Sequence, residues 1–385
     1  MKKHLIAAAV AAAVAVPAAA QITISGDMDV GYQSYKATRG TQSLSLSSTG
    51  QDYSTGAATS SRLRFDATED LGGGLRASIH SRLRTGIQGN NLATGDDFFA
   101  QVQGGFGTVK LGRYEGLAGD VGSYTGAFSN ANWAGTILSP NTDAIQGEMF
   151  TTMAADTYTN ADVDMQNHEG QPGVLQYHSP VFSGFQVRAE MIKRSADDNR
   201  TAGKQDIDQK AIQLRYTAGP LSVAVTSSSR DAQGTVVESA SMHAASGTAG
   251  SGTDAATVIK SKLQWVGASY NLGAARVYGN HFRGELTGTD GLADSDLKIT
   301  TLGVQVPLGA ITLFASIYDG TDKRTSSVAA GDDRSFSGNQ LAISYALSKR
   351  TSLYLVNGVN KDEAKIANAD NVKLSGTAVG LRHAF

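Results

Sequence analysis

The sequence predicts an all-β fold, a 16-stranded antiparallel transmembrane β-barrel with a long, inward-folded third loop. Three observations lead there. Segments of about ten residues alternate apolar and polar side chains along the whole chain after residue 20, which is the length and pattern of a barrel strand that crosses a membrane. The connections between them alternate between tight turns and longer polar loops, as an up-and-down meander requires. The face opposite the apolar one is crowded with arginine between Arg62 and Arg84.

The first twenty residues stand apart. Lys2 and Lys3 form a basic start, Leu5 to Val16 an apolar stretch, and Ala18, Ala19 and Ala20 a small-residue cleavage site. That is the pattern of a secretory signal peptide. The expected division is residues 1–20 as signal and 21–385 as one barrel, with mature Gln21 at its start. No later stretch is apolar enough for a spanning helix. The chain has 44 Gly, 6 Pro and no Cys, so an exported domain must hold itself together without disulfides. Removing Lys2 and Lys3 takes the formal net charge from −2 to −4. That is too mild to imply nucleic acid as a partner.

The strands follow in order. The first runs over 22–35. The next four are 60–70, 74–85, 96–104 and 108–113. In the second of these five, Leu63, Phe65 and Ala67 alternate with Arg62, Arg64 and Asp66; in the third, Leu75, Ala77, Ile79 and Leu83 alternate with Arg76, His80, Arg82 and Arg84. Successive strand side chains point to opposite faces. Strands at 173–180, 185–195, 210–219 and 221–230 come after a long gap. The last seven are 262–273, 274–286, 297–306, 311–320, 339–348, 351–360 and 372–385. Their pattern holds in Leu341, Ile343 and Tyr345 against Gln340, Ala342 and Ser344. In 262–273 both parities carry bulky groups, Trp265 against Val266 and Tyr270, and the facing stays open.

The tight connections are Gly72-Gly73-Gly74, Gly104 to Gly107, Pro180 to Gly184, Gly219-Pro220, Asn271 to Gly273, Pro307 to Gly309 and Ser348 to Arg350. They define one rim, and the longer loops the other. An open sheet edge in lipid would leave backbone groups unpaired at several kcal/mol each, so the sheet must close. An arginine facing lipid at mid-depth costs roughly 2–4 kcal/mol. Arg62, Arg64, Arg76, Arg82, Arg84, Lys110, Arg188 and Arg215 are therefore expected to point inward as a basic pore wall. His80 and His178 take the same parity and read as polar lumen groups. Tyr177, Phe185, Tyr216, Tyr270 and Phe385 fit an interfacial aromatic girdle.

The third loop, about 114–172, has no clear alternation, and loops of that length are usually functional or disordered. Its apolar residues argue for order. Folded into the lumen, it would set the acids Glu115, Asp120, Asp143 and Glu148 against the arginine wall. Opposed charges across a narrow pore make a transverse field that sorts solutes by charge.

The residues also resemble a family. SSRLRFDATEDLGGGLRA, from Ser60, is similar to the early stretch of Gram-negative general porins of the beta-proteobacterial, Neisseria-like type. FFAQVQGGFGTVKLGR, from Phe98, resembles that family's next hairpin. LQYHSPVFS from Leu175, AGPL from Ala218, YALSKRT from Tyr345 and GLRHAF from Gly380 continue the likeness to the end of the chain. Before Tyr177 the run HEGQPG departs from the family pattern. The resemblance implies a homotrimeric outer-membrane porin that passes small hydrophilic solutes and ions by passive diffusion. It implies contact with outer-membrane lipid and recognition of Phe385 by the barrel-assembly machinery.

Enzyme signatures are missing. There is no HExxH, no P-loop and no strand-turn-helix GxSxG. Asp162, Asp164 and Glu169 lack the spacing of a calcium loop. The sequence thus predicts no catalytic residues, no cofactor and no metal. A solute-selective channel for anions or sugars is the alternative on the same fold. A surface adhesin fits less well, because of the tight-turn rim and the aromatic terminus.

Overall fold

The computed structural model describes residues 21–51, 61–85, 92–114, 116–117, 121, 124, 171–194, 206–234, 257–288, 294–325, 333–364 and 371–385. The strands are β1 (Gln21–Arg39), β2 (Gln42–Gln51), β3 (Arg62–Gly72), β4 (Leu75–Thr85), β5 (Leu92–Gly104) and β6 (Gly107–Tyr114). Beyond the third loop come β7 (Gln171–His178), β8 (Phe185–Arg194), β9 (Asp206–Ala218), β10 (Leu221–Gly234) and β11 (Thr257–Asn271). The last six are β12 (Arg276–Gly288), β13 (Asp294–Leu308), β14 (Ile311–Thr325), β15 (Arg334–Ala346), β16 (Thr351–Ala364) and β17 (Val372–Ala384).

From β3 onward each strand pairs antiparallel with the next, and β17 returns to pair with β1 over Asp27 to Arg39. β1 pairs with β2 along its outer part, Val30 to Arg39, and with β3 along its inner part, Gln21 to Asp27. β2 and β3 therefore share one place in the ring. The 17 strands make a closed 16-stranded barrel. The seam is finished by Gly26 and Phe385, which exchange backbone bonds of 3.1 and 2.9 Å. Closure leaves no edge, which is what lipid demands of a sheet.

β2 is a departure from the expected strand list. Its sequence, QSLSLSSTGQ, alternates leucine with serine, and so many serines look like loop. Pairing with the long β1 orders it. The strands also run further toward the long-loop rim than expected. β11 begins at Thr257 and β14 ends at Thr325. Ladder hydrogen bonds continue there without an apolar face, beyond the stretch that hydropathy marks.

The facing follows the predicted parity. Ile24, Phe65, Ile79, Phe98, Ile212, Leu302, Ile317 and Leu341 all point outward and stay exposed. Tyr177, Phe185, Tyr216, Tyr270 and Phe385 form an outward aromatic rim beside the tight turns. Phe185 and Tyr216 lie 4.4 Å apart there, and the Tyr177 hydroxyl donates to the Phe106 carbonyl at 2.7 Å. One turn glycine is required outright. Gly107 has φ of 108°, and a Cβ on it would sit 2.2 Å from the His178 carbonyl oxygen.

Candidate functional site: the lumen wall and the root of the third loop

Register puts the arginines of β3 and β4 side by side. Arg62 pairs with Arg84, Arg64 with Arg82, and Asp66 with His80. All lie on the inward parity of the barrel. Like charges this close need counter-ions, and β1 and β5 supply them. Asp27 ion-pairs with Arg64 and lies 3.7 Å from Arg382; Asp97 lies 2.9 Å from Arg82. Asp66 Oδ1 is 2.5 Å from His80 Nδ1. Asp29 accepts from the Tyr354 hydroxyl at 2.6 Å. Asp27, Asp29 and Asp97 are buried, as is Arg62, whereas Arg64 and Arg82 are more exposed than the acids they pair with. Arg76, near the tight-turn end, is exposed and has no acid partner among the described residues.

The cationic face continues along the next strands. Lys110 on β6 places Nζ 4.9 Å from the Phe99 ring centroid and 4.3 Å from that of Tyr114. Arg188 on β8 is opposite His178 on β7 and donates to Gln186 at 3.0 Å. Arg215 on β9 is nearly buried. It donates to Gln213 at 2.8 Å and stacks its guanidinium 3.9 Å over the Tyr124 ring.

That last contact belongs to the third loop. After β6 the chain enters the barrel, and three of its residues show how it is held. Glu190 on β8 accepts from the Leu117 backbone N–H at 2.9 Å, from Gln176 at 2.7 Å and from Gln209 at 3.1 Å. Gln213 donates to the Leu117 carbonyl at 3.3 Å and to Thr226 at 2.9 Å. Both backbone polar groups of Leu117, its N–H and its carbonyl, are thus tied to the wall. Tyr124 reaches the Thr217 hydroxyl. Val121 packs into an apolar cluster of Ala224, Leu263, Trp265, Phe282, Leu297, Ile299 and Phe336, with Tyr318 alongside.

These residues are lumen-facing, from β10 to β15. The interior wall is therefore not uniformly polar, a correction to the simple rule of apolar outside and polar inside. The physical reason is the loop, which needs an apolar pad to lie on. Trp265, whose facing the sequence leaves open, points inward and meets Phe282 edge-on at 5.7 Å. In a ring of sixteen, β11 and β12 lie half a turn from β3 and β4. The loop root rests on the wall away from the paired arginines.

Of the residues singled out from the sequence, Arg62, Arg64, Arg76, Arg82, Lys110, Arg188 and Arg215 take inward positions. The Arg84 backbone sits opposite Arg62, on the same parity. Glu115, Asp120, Asp143 and Glu148 lie outside the described residues, as does the signal segment 1–20. The sequence reading missed the buried acids Asp27, Asp29 and Asp97, and the anchor Glu190. Parity carried a signal for the first two, since Asp27 and Asp29 alternate with outward Met28 and Val30.

A closed barrel with an apolar exterior, a charged interior and a loop held within it defines a channel of the outer membrane. The Gram-negative porin family model matches residues 7–365, and the chain belongs to that family. Outer membrane porin protein 32 of Delftia acidovorans is 30% identical over 100% of both chains. Major outer membrane protein P.IB of Neisseria gonorrhoeae is 26% identical, covering 60% of this chain and 72% of its own. Among solved structures, the anion-selective porin from Comamonas acidovorans superimposes with a TM-score of 0.67 at 21% identity, covering 95% of this chain and 100% of that one. OmpT of Vibrio cholerae in its trimer form gives 0.64 at 15% identity, with coverage of 95% and 100%. The protein is an outer-membrane porin, a water-filled channel for passive diffusion of small hydrophilic solutes and ions.

Proposed function

We propose that this porin favours small anions and catalyses no covalent chemistry. One observation carries the preference. Arg64 and Arg82 are more exposed than Asp27 and Asp97, the acids they pair with, so a solute beside them meets guanidinium groups more than carboxylates. The field at a surface is set by the charges nearest it. The anion selectivity in the name of the Comamonas acidovorans structure is in keeping with this reading. The test is the reversal potential of single channels across a salt gradient. Anion preference is expected, weakened in Arg64→Ala and Arg76→Ala. A cation-selective native channel overturns the reading, and current that saturates with one solute favours the solute-selective alternative.

We infer further that residues 1–20 are removed on export, that Phe385 is presented to the assembly machinery, and that the barrel works as a homotrimer. The outward face of β3 to β5 supports the last point. It stays apolar as far up as Leu63, Leu83 and Phe98, with Phe98 62% exposed. An apolar self-complementary wall is what a permanent subunit contact requires.

A further inference from the structure

Phe99 lies where the inner wall meets the third loop. On β5 it pairs with Gly112 of β6, and Lys110 and Tyr114 are the next inward residues on either side of that glycine. Gly112 has φ of 145°, and a Cβ on it would sit 2.3 Å from the Phe98 carbonyl oxygen and 2.7 Å from the Phe99 Cα. A larger residue would force β6 away from Phe99. With no side chain between them, Lys110 and Tyr114 both close on the Phe99 ring.

The result is a corner built of two aromatic rings. Phe99 and Tyr114 meet edge-on, with centroids 4.7 Å apart and planes at 71°. The Lys110 ammonium sits over both, 4.9 Å from the Phe99 centroid and 4.3 Å from that of Tyr114. At such distances the negative face of a ring attracts a cation. Phe99 is itself clamped. His80 from β4 stacks on it at 5.0 Å and 27°, and His80 Nδ1 lies 2.5 Å from Asp66 Oδ1 of β3. Phe99 is therefore buried, and β3 to β6 together brace one ammonium group.

Lysine carries its charge on a long, flexible stem, so the charge is poorly localised unless something holds it. Two rings do so without adding a formal charge of their own. The place matters, because Tyr114 is the last residue of β6 and the third loop leaves the wall there. A fixed charge on a pore wall sorts passing ions by sign.

We propose that Phe99 and Tyr114 are positioning residues for ion permeation. Their faces hold the Lys110 ammonium at the root of the third loop, and Lys110 held there is a determinant of which ions the channel passes. This role rests on the channel reading and refines the anion preference of the pore. Its measure is a change relative to the native channel, whatever the sign of the native selectivity.

The test compares reversal potentials of single channels in a potassium chloride gradient. Lys110→Met is expected to lower the chloride-to-potassium permeability ratio roughly threefold. Tyr114→Leu removes one face of the corner and should lower it about twofold, whereas Tyr114→Phe keeps that face and should retain the native ratio. The double variant Lys110→Met, Tyr114→Leu should match Lys110→Met alone, since the ring acts through the ammonium. A native ratio in Lys110→Met overturns the role of the lysine. A native ratio in Tyr114→Leu, or an equal fall in Tyr114→Phe, overturns the role of the ring. A further fall in the double variant does so too, because Tyr114 would then act on the loop and not on Lys110. A native channel that favours cations while these changes hold would sink the anion preference and leave the positioning intact. Should Lys110→Met fail to fold, Tyr114→Leu against Tyr114→Phe still decides.

Discussion

Glu190 shows how one residue sets the interior. Its carboxylate takes hydrogen bonds from Leu117, Gln176 and Gln209 at once. A carboxylate offers two acceptor oxygens, an amide only one. In Glu190→Gln one of these donors is left unsatisfied or repelled by the new NH₂, at a cost of about 1–3 kcal/mol. The barrel should fold unchanged, but the loop root should loosen. Single-channel recordings are expected to show noisier open states and closure at lower voltage than the native protein. Unchanged recordings would mean that Leu117 is held by packing alone. Gly107 supplies a second residue-scale case. In Gly107→Ala the new methyl collides with the His178 carbonyl at a backbone angle that L-residues avoid. A loss of roughly 1–3 kcal/mol is expected, read as a lower urea midpoint for unfolding in micelles. Gly107 is legible in the sequence as part of a glycine-rich turn, but Glu190 does not announce its role. Glu190 sits in FQVRAEMIKR as one more inward polar group, and only the loop's arrival makes it an anchor.

At the scale of elements, alternation carried most of the fold. Strand facing from β3 to β17 could be read from period two because lipid outside and water inside impose opposite preferences on neighbours. The reading weakened where one of those two solvents is missing. On β2 the serines blur the pattern. On β11 to β15 the inner face is covered by protein, so Trp265, Phe282 and Phe336 are apolar on the side expected to be polar. A fully apolar pair of faces leaves nothing for parity to sort. This explains the ambiguity at Trp265 and locates the loop's bed. It also makes a prediction. Val121→Asp would bury a carboxylate among Leu263, Trp265 and Phe282 without a partner, which is costly for any charge. The first turn of the loop should leave the pad while the sheet persists. Circular dichroism and the heat-resistant mobility of the folded barrel should match the native protein, and single-channel conductance should change. Native conductance would show that Val121 does not position the loop.

At the scale of the whole molecule, the barrel's exterior is divided into sectors. Lipid-facing strands need an apolar belt with a polar band above it, as β11 to β14 have, with Lys262, Arg283 and Lys298 above Val266, Val277 and Leu302. A wall covered by another subunit needs no band, because no headgroup reaches it. β3 to β5 follow the second pattern, and the seam strand β1 is bound to β3 through Gln21 to Asp27. The basic pore wall stands on the inner side of those same strands. A trimer built on them would brace the arginine wall from behind, so that subunit contact and pore chemistry share one stretch of sheet. Phe98→Arg separates the alternatives. If β3 to β5 face lipid, the arginine lies near the headgroups and costs about 0–1 kcal/mol, leaving the oligomer as it was. If they face a neighbouring subunit, each protomer buries an unpaired cation in the contact, and breaking a buried charge pattern of that kind costs several kcal/mol. The expected result is loss of the trimer by light scattering in mild detergent, with the monomeric barrel still folded. A stable Phe98→Arg trimer would move the contact to another sector and remove the bracing from the account of the pore.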